Sequence, residues 1–159
     1  MEKKIVIGSD KSGFPLKEEI KEYLISEGYK VEDVGMQSME DFMGFYEVAP
    51  RLAKKIQKGE YEKGILICGT GAGMSIVANK FKGVYAVAVE GSYAAMMSKV
   101  INNANVITMG GWKLASKEAI DMVNRWLNYD FGEGIEPSRK EFLINAKKEI
   151  EAVEEENFK

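Results

Sequence analysis

The sequence contains no histidine. That absence removes imidazole acid–base catalysis, Ser-His-Asp triads and most zinc sites. Any proton this protein moves must travel on carboxylates, a thiol, hydroxyls or lysines. There is one cysteine, so no internal disulfide can form, and a reducing, cytoplasmic compartment is expected. No apolar run approaches the roughly 18–20 residues of a membrane span. The start, Met1 to Lys4, is charged and runs directly into a strand-like IVIG, so no apolar leader is expected. Excess positive charge is lacking too: the net charge is −3 and the pI about 5.3. Nucleic acid and anionic membrane, which need a basic face, are therefore not expected partners.

What remains is ample for a core. Of 159 residues, 45% are hydrophobic, and a single domain spanning 1–159 is expected. Short apolar runs alternate with amphipathic stretches. Strands are expected at Lys4–Gly8, Tyr29–Val34, Gly64–Cys68, Gly83–Val89 and Asn105–Met109. Helices are expected from Leu16 to about Gly28, from Val48 to Lys58, over Met74–Lys80, Ser92–Ile101 and Lys117–Leu127, and from Pro137 to about Glu155. The alternation predicts an α/β fold, a three-layer Rossmann-like sandwich around a five-stranded parallel sheet. Ligands of such sheets bind at the carboxyl ends of the strands, which places Asp10, Cys68–Gly73 and Glu90 on one rim. The last helix, about 137–157, is too long and charged to be only a sheet cover and is expected to pack on another subunit.

The most informative segment is CGTGAGMSIVANK, Cys68–Lys80. Gly69, Gly71 and Gly73 allow a sharp turn whose N–H groups point one way, and the following helix adds its positive end, an anion cradle. The spacing is neither a Walker A loop nor a dinucleotide fingerprint. Cys68 ends the strand beside it, where amide dipoles favour a thiolate. Such a sulfur can take a proton from a carbon beside a carbonyl while N–H groups hold the enediolate. An inert core cysteine fits the same pattern, and the residues alone leave both readings open. Asp10 can bind sugar hydroxyls or shuttle a proton, or simply form the turn. Glu90 is a second rim carboxylate, catalytic or merely favoured by a helix start. Lys11 and Arg139 are candidate phosphate partners, and the Asn102-Asn103-Ala104-Asn105 run offers amides.

Together, IGSDKSGF (Ile7–Phe14), ILICGTGAGMSIVANK (Ile65–Lys80), SYAAMMSKVINNANVITMGG (Ser92–Gly111) and WLNYDF (Trp126–Phe131) carry a resemblance over nearly the whole chain. The sequence resembles the type B ribose-5-phosphate isomerase and galactose-6-phosphate isomerase family. The resemblance implies a small-molecule sugar-phosphate substrate, proton transfer between C1 and C2 through an enediolate, and no metal or organic cofactor. It also implies a homodimer or dimer of dimers with shared active sites. By position, Cys68 matches the family's base and Thr70 a hydroxyl near the ring or carbonyl oxygen. Gly69, Gly71, Gly73, Met74 and Ser75 match its anion loop, and Asp10 a substrate-binding carboxylate. Asn102 matches an amide supplied by the neighbouring subunit.

The departures concern ring opening and the phosphate grip. The family often reads Asp-His-Ala-Gly where this chain has Asp10-Lys11-Ser12-Gly13, and Cys-His-Asp where it has Val89-Glu90-Gly91. The His credited with opening the sugar ring is Ile101 here. A site aromatic appears as Phe45 with Tyr46 adjacent, and Tyr46 is taken as the substrate contact. Of two phosphate-binding arginines, one position holds Ile135 and Arg139 occupies the other. Trp112 stands where an Arg is common. A four-carbon sugar phosphorylated on its terminal oxygen cannot close a furanose ring and needs no ring opener. Family members acting on erythrulose phosphates resemble this chain in both the missing His and the Phe-Tyr pair. The expectation is an isomerase of a short, acyclic sugar phosphate. A ribose-5-phosphate or hexose-6-phosphate isomerase is the alternative, as is a non-catalytic sugar-phosphate-binding subunit pairing with an active paralogue.

Overall fold

The computed structural model describes residues 2–158. Five strands, β1 (Lys4–Ser9), β2 (Lys30–Asp33), β3 (Gly64–Cys68), β4 (Ala86–Ala88) and β5 (Val106–Gly110), form one sheet. They alternate with α1 (Phe14–Ser26), α2 (Phe45–Gln57), α3 (Ala72–Ala78), α4 (Ser92–Val100) and α5 (Ser116–Asn128), and α6 (Pro137–Asn157) closes the chain. The order across the sheet is β2-β1-β3-β5-β4, with every neighbouring pair parallel. The three-layer architecture expected from the alternation is present.

Parallel strands covered on both faces bury nearly every side chain, and β1, β3 and β5 do so. Successive residues alternate between faces. Ile5, Ile7, Ile65, Ile67, Ile107 and Met109 meet Leu16, Ile20 and Leu24 of α1, Ala95 of α4, and Met122, Val123 and Trp126 of α5. The opposite face presents Val6, Leu66, Cys68 and Val106 to Leu52 and Ile56 of α2 and Met74 and Ala78 of α3. Trp126 is fully buried and donates its indole N–H to the Ala104 carbonyl at 3.1 Å, so burial of that ring leaves no polar atom stranded.

Helices α1 and α2 start two and three residues earlier than expected, and two further elements differ from the sequence-based bounds for local reasons. The fourth strand, expected over Gly83–Val89, shrinks to three residues. Val84 N–H turns back to the Phe81 carbonyl, and Tyr85 and Ala86 donate to the side-chain oxygens of Asn105 and Asn79, so amide side chains replace ladder bonds at its start. The third helix begins at Ala72, two residues earlier than expected, because Gly71 takes a left-handed conformation that starts the turn.

A buried lysine was not anticipated. Lys17 on α1 is fully buried, 2.7 Å from an Asp33 carboxylate oxygen, and donates to the Met36 carbonyl. It ties α1 to the chain after β2, which leads on to α2. A buried charge of this kind persists only when paired and hydrogen-bonded. Among the described residues no helix is long and apolar enough to cross a membrane.

The turn from β1 into α1 leaves no room for a side chain at Gly13, since a Cβ there would lie 2.3 Å from the Ile67 carbonyl oxygen. Backbone cannot yield as a side chain can. Gly13→Ala is therefore expected to lose about 1–3 kcal/mol in chemical denaturation, the range for overpacking a tight interior.

Candidate active site

The strand order sets the carboxyl ends of β1, β3 and β5 side by side. Ser9 is in register with Ile67, and Cys68 with Gly110. Neighbouring strands lie about 4.8 Å apart, so Asp10, Gly69 and Gly111 begin three adjacent loops above the centre of the sheet. This is also where the chain order across the sheet reverses, between β1 and β3.

Cys68 is the last residue of β3. It belongs to the face covered by α2 and α3 and is only 5% exposed. It nevertheless borders a cavity of about 340 Å³ lined by Asp10, Ser12, Phe45, Gly69, Thr70, Gly73 and Trp112. The Gly71 N–H points at its sulfur, 3.1 Å from Sγ. The sulfur is thus a hydrogen-bond acceptor for a backbone amide at the cavity's edge. The left-handed φ of Gly71 (+83°) aims that amide, and a Cβ there would also come within 2.9 Å of the Met109 backbone. Thr108 Oγ1 donates to the Gly71 carbonyl at 2.7 Å and holds the turn from below.

The anion cradle is narrower than the glycine spacing implied. The Gly71 amide is committed to sulfur, and the Ala72 amide goes to Thr70 Oγ1 at 3.2 Å. The helix behind them, α3, has only seven residues. The turn is thus fitted to the thiol and to one small oxygen beside it more than to a multiply charged group.

Asp10 forms the turn and also faces the cavity. Its Oδ1 accepts the Gly13 N–H at 3.1 Å, which makes the turn, and it lines the Cys68 cavity. Partial burial raises its carboxyl above the ordinary range, against backbone N–H bonds from Gly13 and Ser12 that pull it down. A carboxyl so raised is better suited to carry a proton between two sugar oxygens.

Other expected site residues fall elsewhere. Glu90 is exposed, 3.6 Å from Lys113 Nζ, and lines a smaller neighbouring cleft of about 170 Å³ with Thr70 and Glu118. It is not among the residues lining the Cys68 cavity, because β4 is the outermost strand and β5 intervenes. Met74 is fully buried in the core under β3. Ser75 donates to the Ala86 carbonyl at 3.1 Å, binding α3 to β4. Both side chains serve packing, leaving only their backbone to a ligand. Lys11 is exposed and does not line the cavity. Tyr46 packs its ring on Gly44 and edge-on to Phe45, centroids 5.4 Å apart, and it is Phe45 that reaches the cavity.

Asn102 and Arg139 are both exposed and both far from Cys68 in the topology. Helix α4 leaves the carboxyl edge of the sheet and returns to the amino edge, so Asn102 follows it there, just before β5. The Gly132 N–H donates to the Val100 carbonyl, which keeps the approach to α6 beside the same edge. Arg139 stands there over the Phe142 ring, 5.1 Å from its centroid. Within one copy of the chain Asn102 and Arg139 thus lie toward the edge of the sheet opposite Cys68. Among the described residues no cluster of three or more His, Cys, Asp or Glu is arranged to hold a metal ion.

The sequence profile of the ribose/galactose isomerase family matches residues 5–143. The chain belongs to that family. It is 51% identical over 156 residues to 4-deoxy-4-sulfo-D-erythrose isomerase of Clostridium sp. (strain MSTE9), covering 98% of each chain. It is 39% identical over 130 residues to D-erythrulose-4-phosphate isomerase 2 of Mycolicibacterium smegmatis, covering 80% of this chain and 86% of that one. Ribose-5-phosphate isomerase B of Clostridium thermocellum superposes with a TM-score of 0.87 at 35% identity, covering 96% of this chain and 98% of that one. This member of the family is a sugar isomerase, as its motifs had implied.

Ser12 and Trp112 line the cavity although neither was singled out as a ligand contact. The signal for both was positional. Ser12 lies two residues past Asp10 in the same turn. Trp112 follows Gly110-Gly111, and a strand end in register with Cys68 must deliver its next residues to the same rim.

Asn at position 10 keeps an oxygen for the Gly13 N–H but cannot carry a proton. Asp10→Asn is expected to lower kcat/KM by about 10²-fold or more, the usual range for removing an acid–base group. Because the carboxyl is raised in the folded state, its stability contribution is present at acid pH and is lost as pH rises through the folded value. The Asn variant should therefore be no less stable than wild type at pH 7 in thermal melts, and lower by comparison only in acid.

Proposed function

We propose that this protein interconverts the aldose and ketose forms of a four-carbon sugar bearing an anionic group on C4, with Cys68 as the base. The observation that carries the reading is a sulfur that receives an amide N–H and borders a cavity shared with a raised carboxyl, Asp10. The thiolate takes the proton from C2 of the aldose. The C–H electrons form the C1–C2 double bond, and the carbonyl pair moves onto O1. The Thr70 hydroxyl and loop amides of Gly69 and Gly73 hold that charge. Asp10 passes the O2 proton to O1, O2 becomes the ketone oxygen, and the thiol returns its proton to C1.

Relatives that act on 4-deoxy-4-sulfo-D-erythrose and on D-erythrulose 4-phosphate support four carbons. In neither compound is a free C4 hydroxyl available for ring closure, which accords with Ile101 and a chain without histidine. A sulfonate is the favoured terminal group, widening the phosphate expected from the sequence. It carries one negative charge where a phosphate carries about 1.5 to 2. Arg139 alone, with Ile135 and Trp112 at the other positions, matches the smaller charge.

The anion-binding arginine and Asn102 come from a second copy of the chain. Opposite sheet edges in one copy, and the exposed apolar residues Phe142, Ile150 and Val153 on α6, support a homodimer with shared sites. The compartment proposed is the cytoplasm, in keeping with a lone, unpaired thiol.

Cys68→Ser should abolish turnover, by about 10³-fold or more, with an unchanged melting curve. A Cys68→Ser variant as active as wild type removes the mechanism. Assayed with 4-deoxy-4-sulfo-D-erythrose, D-erythrose 4-phosphate and D-ribose 5-phosphate, wild type should prefer the four-carbon substrates; preference for ribose 5-phosphate removes the substrate reading. Mixing unfolded Cys68→Ser and Arg139→Ala chains and refolding them together should restore about a quarter of wild-type sites, since each mixed dimer rebuilds one intact site.

A further inference from the structure

Two aromatic rings border the cavity of Cys68, and each is seated on a glycine. A Cβ on Gly69 would lie 2.6 Å from ring atoms of Trp112, and one on Gly73 would lie 3.0 Å from ring atoms of Phe45. Neither glycine has the left-handed φ that would demand glycine for backbone reasons, whereas Gly71 between them does. The missing side chains at Gly69 and Gly73 thus make room for the rings. Trp112 is fastened through its backbone, its N–H donating to the Gly69 carbonyl at 3.1 Å, so the ring stands over the residue that follows the cysteine. That ring is 72% exposed, and Phe45 is 37% exposed. Core packing does not account for an indole left so open.

We infer that Trp112, with Phe45 as the second aromatic wall, determines which substrate reaches Cys68, admitting a thin open chain and excluding longer or cyclic sugars. The inference rests on the four-carbon reading above and adds a second cause for it, one of shape. A chain of sp² and sp³ carbons lies flat beside a ring face. A furanose carries substituents on both of its faces and needs a wider opening. The glycine seats let both rings approach the backbone next to the sulfur closely, which narrows the space from two sides. The walls are neutral, so they select by size and leave the charge on C4 to be met elsewhere. Trp112 acts here as a specificity-determining residue, with the proton transfer itself left to Cys68 and Asp10.

The test is the ratio of kcat/KM for D-erythrose 4-phosphate to that for D-ribose 5-phosphate, in wild type, Trp112→Ala and Trp112→Phe, with the oligomeric mass of each measured by light scattering. Trp112→Ala should shift the ratio toward the five-carbon sugar by about tenfold or more, the scale on which one carbon is discriminated by a pocket wall. Trp112→Phe, which restores an aromatic wall, should return the ratio to within about threefold of wild type. If Trp112→Ala lowers both values equally, with or without a change in mass, the ring has no role in selection and the inference is overturned. A wild type that prefers the five-carbon sugar would defeat the four-carbon reading alone, since the ratio in Trp112→Ala would still report whether the wall selects.

Discussion

Three loops meet backbone to backbone above β3, and everything the site does depends on that contact. The β1–α1 turn presses Gly13 onto the Ile67 carbonyl, the β3–α3 turn presses Gly71 onto the Met109 backbone, and a Cβ on Gly110 would meet the Gly69 carbonyl at 2.7 Å. Backbones packed this closely leave little freedom, so the Gly71 amide is held against the sulfur without a side chain to position it. Preorganised dipoles of this kind cost no rearrangement when charge develops. The carboxylate of Asp10, fixed by the Gly13 N–H, joins the same frame.

Around this centre the two aromatic rings that border the cavity are side chains more open to solvent. Phe45 begins α2 and Trp112 follows β5, each exposed over part of its ring. In the proposed mechanism, reaction chemistry and substrate choice reside on different parts of the fold, the first on backbone geometry and the second on side chains at the cavity's border. This division accords with relatives named for four-carbon and five-carbon sugars sharing one architecture. Below the site, the ion pair of Lys17 with Asp33 and its bond to the Met36 carbonyl lock α1 to the chain that leads on to α2 and Phe45.

Some residues around the Cys68 cavity were legible in the sequence and others were not, for specific reasons. Cys68 and the glycines after it were readable because an apolar run ending in Cys-Gly-Thr-Gly admits few local structures. Asp10 was readable from its place after the first strand. Met74 and Ser75 misled because a motif gives adjacency along the chain but not the direction of a side chain, and α3 turns these two toward the core and β4. Glu90 misled because it follows a strand's carboxyl end, yet that strand is at the sheet's edge with β5 between it and Cys68. Tyr46 and Phe45 differ by one helical step, and that step decides which ring meets the cavity.

By itself the sequence determined the parallel α/β architecture, because alternating apolar runs and amphipathic helices have few other ways to bury their surfaces. It also determined that proton transfer must avoid imidazole, and it marked the single thiol. The order of the strands was decided only in three dimensions, and with it which strand ends became neighbours. So was the separation of Asn102 and Arg139 from Cys68 by the full length of the strands. Both depend on contacts between residues distant in sequence, where hydrophobic periodicity carries no information about partners.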